Sequence, residues 1–145
     1  MSGLSHVALA VADPGRSLSF YRDIIGVDGH VRTEQFGFVI STTNGVAFTL
    51  FRGQPPDHVG EFHLGVSLPD ADAVRRARER FRTIGLIEHE WSEEPGYASV
   101  KVADPDGYLV EVSWEGADDR TDPAAQHRRN RHARGCACVR ATDPH

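Results

Sequence analysis

The chain is poor in the features that mark several large protein classes. Only two of its 145 residues are cysteine, Cys136 and Cys138, and a pair separated by one residue cannot staple a fold. That excludes a disulfide scaffold. No apolar run is long enough to cross a bilayer, and the opening "MSGLSHVALA" lacks the basic and apolar regions of a secretory signal. A cytoplasmic protein with no membrane partner is expected. Lysine is almost missing, with Lys101 alone against fifteen arginines, a bias that points to the coding genome rather than to function. Positive charge is also scarce where a nucleic acid would need it. Residues 116–145 hold six Arg against four Asp, +2, so the −5 of the whole chain leaves −7 on the first 115 residues. An acidic body of that kind does not suit a nucleic-acid binder.

What is present is 39% hydrophobic sequence, enough for one domain with a modest core. It is arranged as a diverged repeat. "LSHVALAVADPGRSLSFYRDIIG" (Leu4–Gly26) and "EFHLGVSLPDADAVRRARERFRTIG" (Glu61–Gly85) each open on a short alternating strand with a histidine near its start. A Pro/Asp helix start follows, then an amphipathic helix stopped by glycine. Three strand-like runs complete each half: "HVRTEQ", "FGFVIST" and "VAFTLFRG", then "IEHEWS", "YASVKVA" and "YLVEVSW". The unit is βαβββ, repeated as modules of about residues 4–53 and 60–115. In the second helix Val74, Ala77, Phe81 and Ile84 supply a buried stripe, while Arg75, Arg76, Arg78, Arg80 and Arg82 form a solvated face.

Strand alternation decides which side chains share a face. In the first strand Val7, Leu9 and Val11 form the side a helix covers, with His6, Ala8 and Ala10 opposite. In the strand opening the second module Phe62, Leu64, Val66 and Leu68 are covered, with His63, Gly65 and Ser67 opposite. The last strand covers Val110, Val112 and Trp114 and leaves Leu109, Glu111 and Ser113. Three metal-capable side chains, His6, His63 and Glu111, thus lie on faces that the helices leave bare. Two imidazoles and a carboxylate bind a divalent ion while leaving positions for substrate. The turn "DPDG" (residues 104–107) fixes the register that aims Glu111, since Pro105 presets the turn and Gly107 accepts positive φ. Ser99 and Lys101 share the face of Glu111. A lysine there either binds an anionic substrate, acts as a base with a lowered pKa, or snorkels to the rim. Phe38, Phe51 and Trp91 are candidate walls of the site.

Beyond Glu115 the pattern stops. Residues 116–145 have almost no large apolar side chains and read as a disordered tail. The spacing H-x4-H-x3-C-x-C from His127 to Cys138 has no folded context, and no zinc site is expected there.

The opening "HVALAVAD … SLSFYRDIIG", the "FHLGV" of the second module and the closing "DPDGYLVE" resemble the vicinal oxygen chelate superfamily across residues 4–115. That superfamily includes glyoxalase I, extradiol dioxygenases, fosfomycin-resistance transferases and bleomycin-resistance binding proteins. The resemblance implies an α+β fold in which two βαβββ modules form a cup-shaped, partly open mixed β-barrel with helices outside. It also implies an ion (Mn, Fe, Ni or Zn) held by His6, His63 and Glu111, and a homodimer with paired or exchanged modules. Departures narrow the choice. Thr49 stands where glyoxalase I has a fourth, carboxylate ligand, and Lys101 where the dioxygenases have a tyrosine. Arg120 falls near a phosphonate-contacting arginine of the fosfomycin transferases, but Trp91, Ala8 and Lys101 replace their lysine, threonine and tyrosine.

Two functions remain open at this point. One is a metal-dependent enzyme (lyase, dioxygenase or transferase) acting on a small oxygen-bearing substrate, with Lys101, Ser99 and Thr49 as contacts. The other is a metal-free module that sequesters an aromatic drug.

Overall fold

The computed structural model describes residues 3–26, 29–33, 37–41, 45–60 and 62–116. The predicted tail, with Arg120, His127, Cys136 and Cys138, lies outside the described residues. Module one runs β1 (His6–Val11), α1 (Pro14–Tyr21) with a π-helical turn (Arg22–Gly26), β2 (Gly29–Thr33), β3 (Gly37–Ser41) and β4 (Ala47–Arg52). Module two runs β5 (His63–Ser67), α2 (Ala71–Thr83), β6 (Glu88–Glu94), β7 (Tyr97–Ala103) and β8 (Leu109–Glu115). The fold is α+β. Each module makes one mixed four-stranded sheet, ordered β1-β4-β3-β2 and β5-β8-β7-β6. In each, the first strand pairs parallel with the last and the remaining pairs are antiparallel. Among the described residues no strand pairing joins the two sheets into a closed barrel, and no helix is long and apolar enough to cross a membrane.

Local chemistry sets the helix ends. Asp13 caps α1 by accepting from the N–H groups of Gly15 and Arg16, with Pro14 just inside, and Asp70 caps α2 by accepting from Ala73. Gly26 ends the π-helical turn and Gly85 follows α2, both with positive φ. α1 lies on β3 and β4, and α2 on β7 and β8. The covered faces form the core. Leu9, Val11, Phe48 and Leu50 are buried with Leu18 and Tyr21 in module one, and Val100, Val102, Val110 and Val112 with Val74 and Phe81 in module two. Each such side chain contributes roughly 1.5–3 kcal/mol by leaving water.

Two apolar residues depart from the expected pattern. Phe62 is 53% exposed and Ile84 51% exposed, because each sits just beyond the end of its element, where the helix–sheet sandwich has already opened. The arginine face of α2 also differs in one member. Arg78 turns inward to bond both carboxylate oxygens of Glu88, at 2.9 and 2.8 Å, and stacks over Trp91 at 4.2 Å.

The 104–107 turn joins the modules. Gly107 has φ +92° and its N–H donates to Asp104 O. Asp104 is buried and accepts from the Tyr21 hydroxyl at 2.8 Å and from the N–H groups of Asp106 and Tyr108. Asp106 accepts from Ser17 Oγ, Arg16 and the N–H of Ala12, and Tyr108 donates to Ala10 O at 2.9 Å. The motif read as a register device for β8 therefore also docks α1 and the end of β1.

Candidate metal centre

Cross-strand register brings the polar residues of sheet two into rows on the side away from α2. Glu111 on β8 lies opposite Gly65 of β5 and Lys101 of β7, and Lys101 lies opposite Glu90 of β6. The neighbouring row is Ser67, Ser113, Ser99 and Ser92. Facing residues in such pairs share one side of the sheet.

His63 and Glu111 meet across the parallel β5–β8 pair. The Nε2 of His63 stands 3.1 Å from Oε2 of Glu111, and the carboxylate is only 14% exposed. The separation suits a common ion. Two donors held about 2.1 Å from one metal at roughly right angles stand about 3 Å apart. Nothing lies within 4 Å of where a Cβ at Gly65, opposite Glu111, would project, so the space beside the carboxylate is open. The Oε1 of Glu111 accepts a hydrogen bond from the Tyr97 hydroxyl at 2.7 Å. Burial pushes the Tyr97 phenol above the ordinary tyrosine value, with Ser99 pulling it down and Glu111 raising it again. The phenol therefore stays protonated and donates. A carboxylate steadied by a second hydrogen bond is the usual setting of a ligating one. The donor set fits a divalent ion.

The remaining candidates fall as follows. His6 begins β1 on the exposed side, with Nδ1 3.0 Å from Ser5 Oγ. It belongs to the other sheet, and among the described residues no three of His, Cys, Asp and Glu form a group that could hold a metal ion. Thr49 is half-buried on β4, opposite Ala8, on the bare side of sheet one. Ser99 is buried beside Tyr97. Lys101 is half-buried and donates to Glu90 Oε2 at 2.9 Å, so its charge is already engaged. Two of the three expected aromatic walls are corrected. Phe38 pairs with fully buried Leu50, and Trp91 pairs with Val100 beneath Arg78. Both rings therefore belong to the helix-covered side. Phe51 remains on the bare side, opposite Ala10. The alternation argument missed Tyr97 and Glu90. A tyrosine opening a strand two residues from Ser99 was the available signal for the first.

The Glyoxalase/Bleomycin resistance protein/Dioxygenase superfamily model matches residues 3–112. No curated protein matches the chain. Solved structures share the fold. A possible glyoxalase from Bacillus cereus superposes with a TM-score of 0.68 at 22% identity, over 77% of this chain and 98% of that one. A lactoylglutathione lyase from Agrobacterium tumefaciens gives 0.65 at 23% identity, over 79% and 94%. An E126Q mutant of the fosfomycin resistance protein FosX from Listeria monocytogenes, complexed with Mn(II) and 1S,2S-dihydroxypropylphosphonic acid, gives 0.67 at 20%, over 77% and 89%.

Proposed function

Because the chain belongs to the Glyoxalase/Bleomycin resistance protein/Dioxygenase superfamily, we propose that it is a metal-dependent enzyme whose small substrate binds a divalent ion through one or two oxygens. The reading rests chiefly on the His63–Glu111 pair, two donors at 3.1 Å on a bare sheet face. His63 and Glu111 of one copy hold the ion together with His6 of a second copy in a homodimer. His6 stands on the other sheet of its own chain, and Leu4 and Phe62, beside the two histidines, are 70% and 53% exposed. Apolar side chains left in water at those strand starts favour burial by a partner. Manganese heads the candidate ions, being the one bound in the FosX structure, ahead of Fe, Ni and Zn.

When bound, such an ion polarises a substrate oxygen. The chain's own residues do the rest. Tyr97 holds the carboxylate, Ser99 sits beside it, and Thr49, without a charge of its own, adds no fourth carboxylate and leaves a coordination position open. Lys101 already answers Glu90, so its charge is partly spent before an anionic substrate arrives.

The aromatic-sequestering alternative loses ground because Phe38 and Trp91 lie on the covered side. Calorimetric titration of metal-free and Mn(II)-loaded protein separates the two. Hydroxamates, catechols and phosphonates are expected to bind the loaded form only. Equal binding of large aromatic compounds with and without metal, and no response to chelating ligands, would overturn the enzyme reading.

A further inference from the structure

Glu111 has two oxygens, and the structure gives them different work. Oε2 faces His63 Nε2 at 3.1 Å, while Oε1 is taken by the Tyr97 hydroxyl at 2.7 Å. Tyr97 is not opposite Glu111 in the sheet. It pairs with Glu115, and the Ser99–Ser113 pair lies between. The ring must therefore lean along the strands to reach the carboxylate, past Ser99, which shares its face of the sheet. The ring is half-buried, so few other orientations are open to it.

We propose that Tyr97 is a positioning residue that makes Glu111 a one-oxygen ligand. The inference rests on the metal-site reading above. With Oε1 engaged, the carboxylate turns only Oε2 toward His63. A carboxylate free to rotate can present both oxygens and fill two positions on an ion. Tyr97 thereby keeps a second position for substrate, in the same sense as the uncharged Thr49. The phenol touches neither ion nor substrate. It acts through Glu111.

The test is Mn(II) binding by wild type, Tyr97→Phe, Ser99→Ala and Glu111→Gln, followed by titration and by the electron paramagnetic resonance spectrum of the bound ion. Tyr97→Phe removes one oxygen and keeps the ring, and circular dichroism checks its fold. The expected result is about tenfold weaker Mn(II) binding with an altered spectrum, as the released carboxylate changes its mode of ligation. Ser99→Ala, which removes the neighbouring buried hydroxyl and leaves the phenol in place, should shift both readouts less. An unchanged affinity and spectrum in Tyr97→Phe would overturn the proposal while leaving the metal site standing, provided Glu111→Gln abolishes binding. An effect of Ser99→Ala larger than that of Tyr97→Phe would assign the orienting to the serine and also overturn it. Equal binding by wild type and Glu111→Gln would remove the metal-site reading itself, and the proposal with it.

Discussion

The hydroxyl of Tyr21 donates to Oδ2 of Asp104 at 2.8 Å, tying the helix of module one to the turn that opens the last strand of module two. Burial holds the Asp104 carboxyl above the ordinary aspartate value, although Tyr21 and two backbone N–H groups work the other way. A carboxyl with a raised native pKa binds its proton more tightly folded than unfolded. Its contribution to stability is full below the unfolded value, near pH 4, and is lost as pH rises through the folded one. Tyr21→Phe removes a donor that favours the charged form. The variant should lose about 1–3 kcal/mol at pH 7 and less at pH 4, read by urea denaturation. Equal losses at both pH values would show that the hydroxyl does not answer the carboxylate's charge.

If two copies complete each metal site, the ligands can be separated genetically. His6→Ala and Glu111→Gln are each expected to lose Mn(II). Mixed and allowed to exchange subunits, they form heterodimers with one site intact, about a quarter of the wild-type capacity after random exchange. Elemental analysis of the mixture reads this directly. No recovery after demonstrated exchange would place all three ligands within one chain.

The Arg78–Glu88 pair makes a second pH-dependent contribution, of opposite sign. Arg78 holds the Glu88 carboxyl below its ordinary range. Its stabilisation is present above the unfolded value, near pH 4.3, and fades as pH falls through the folded one. Arg78→Ala should cost about 1 kcal/mol at neutral pH and shift the Trp91 fluorescence, since the guanidinium also covers that ring. Arg78→Lys should recover little of this, because an ammonium cannot bond both oxygens and stack at once.

Gly37 is the least replaceable glycine described. Its φ is +115°, and a Cβ there would run into the carbonyl oxygen of Leu50 and the ring of Pro14. Gly37→Ala is expected to cost 2 kcal/mol or more, of the order of ~1–3 for the backbone conformation alone, with a matching fall in melting temperature. A loss below about 0.5 kcal/mol would mean that the α1–β3 contact yields easily.

Alternation was enough to place His63, Glu111, Ser99 and Lys101 on one face, because those strands follow a strict period of two. The strand that carries Trp91, β6, breaks that period for a local reason. A bulge lies between Glu88 and Glu90, so Glu88 faces Val102 and Arg78 while Glu90 faces Lys101. Two residues that plain alternation puts together are thereby split between the faces. Phe38 was misread because its side depends on its register with Leu50, which one strand's pattern cannot supply. Tyr97 was missed because its partner is reached by a long side chain leaning along the sheet rather than across it. His6 was given the right face of its own strand, yet the pattern says nothing about how two separate sheets are placed.

The parallel pairing of β5 with β8 also governs when the ligand pair exists. β6, β7 and β8 are joined by successive hairpins and need only local closure. β5 must wait for α2, β6 and β7 to be in place before it can lie beside β8, so His63 meets Glu111 through the slower, non-local step. If β5 docks only after the folding barrier is crossed, an ion bound by that pair binds late. It should slow unfolding and leave refolding nearly untouched, a difference that stopped-flow traces with and without Mn(II) make visible. Such an ion would act as a brake on opening rather than as a nucleus.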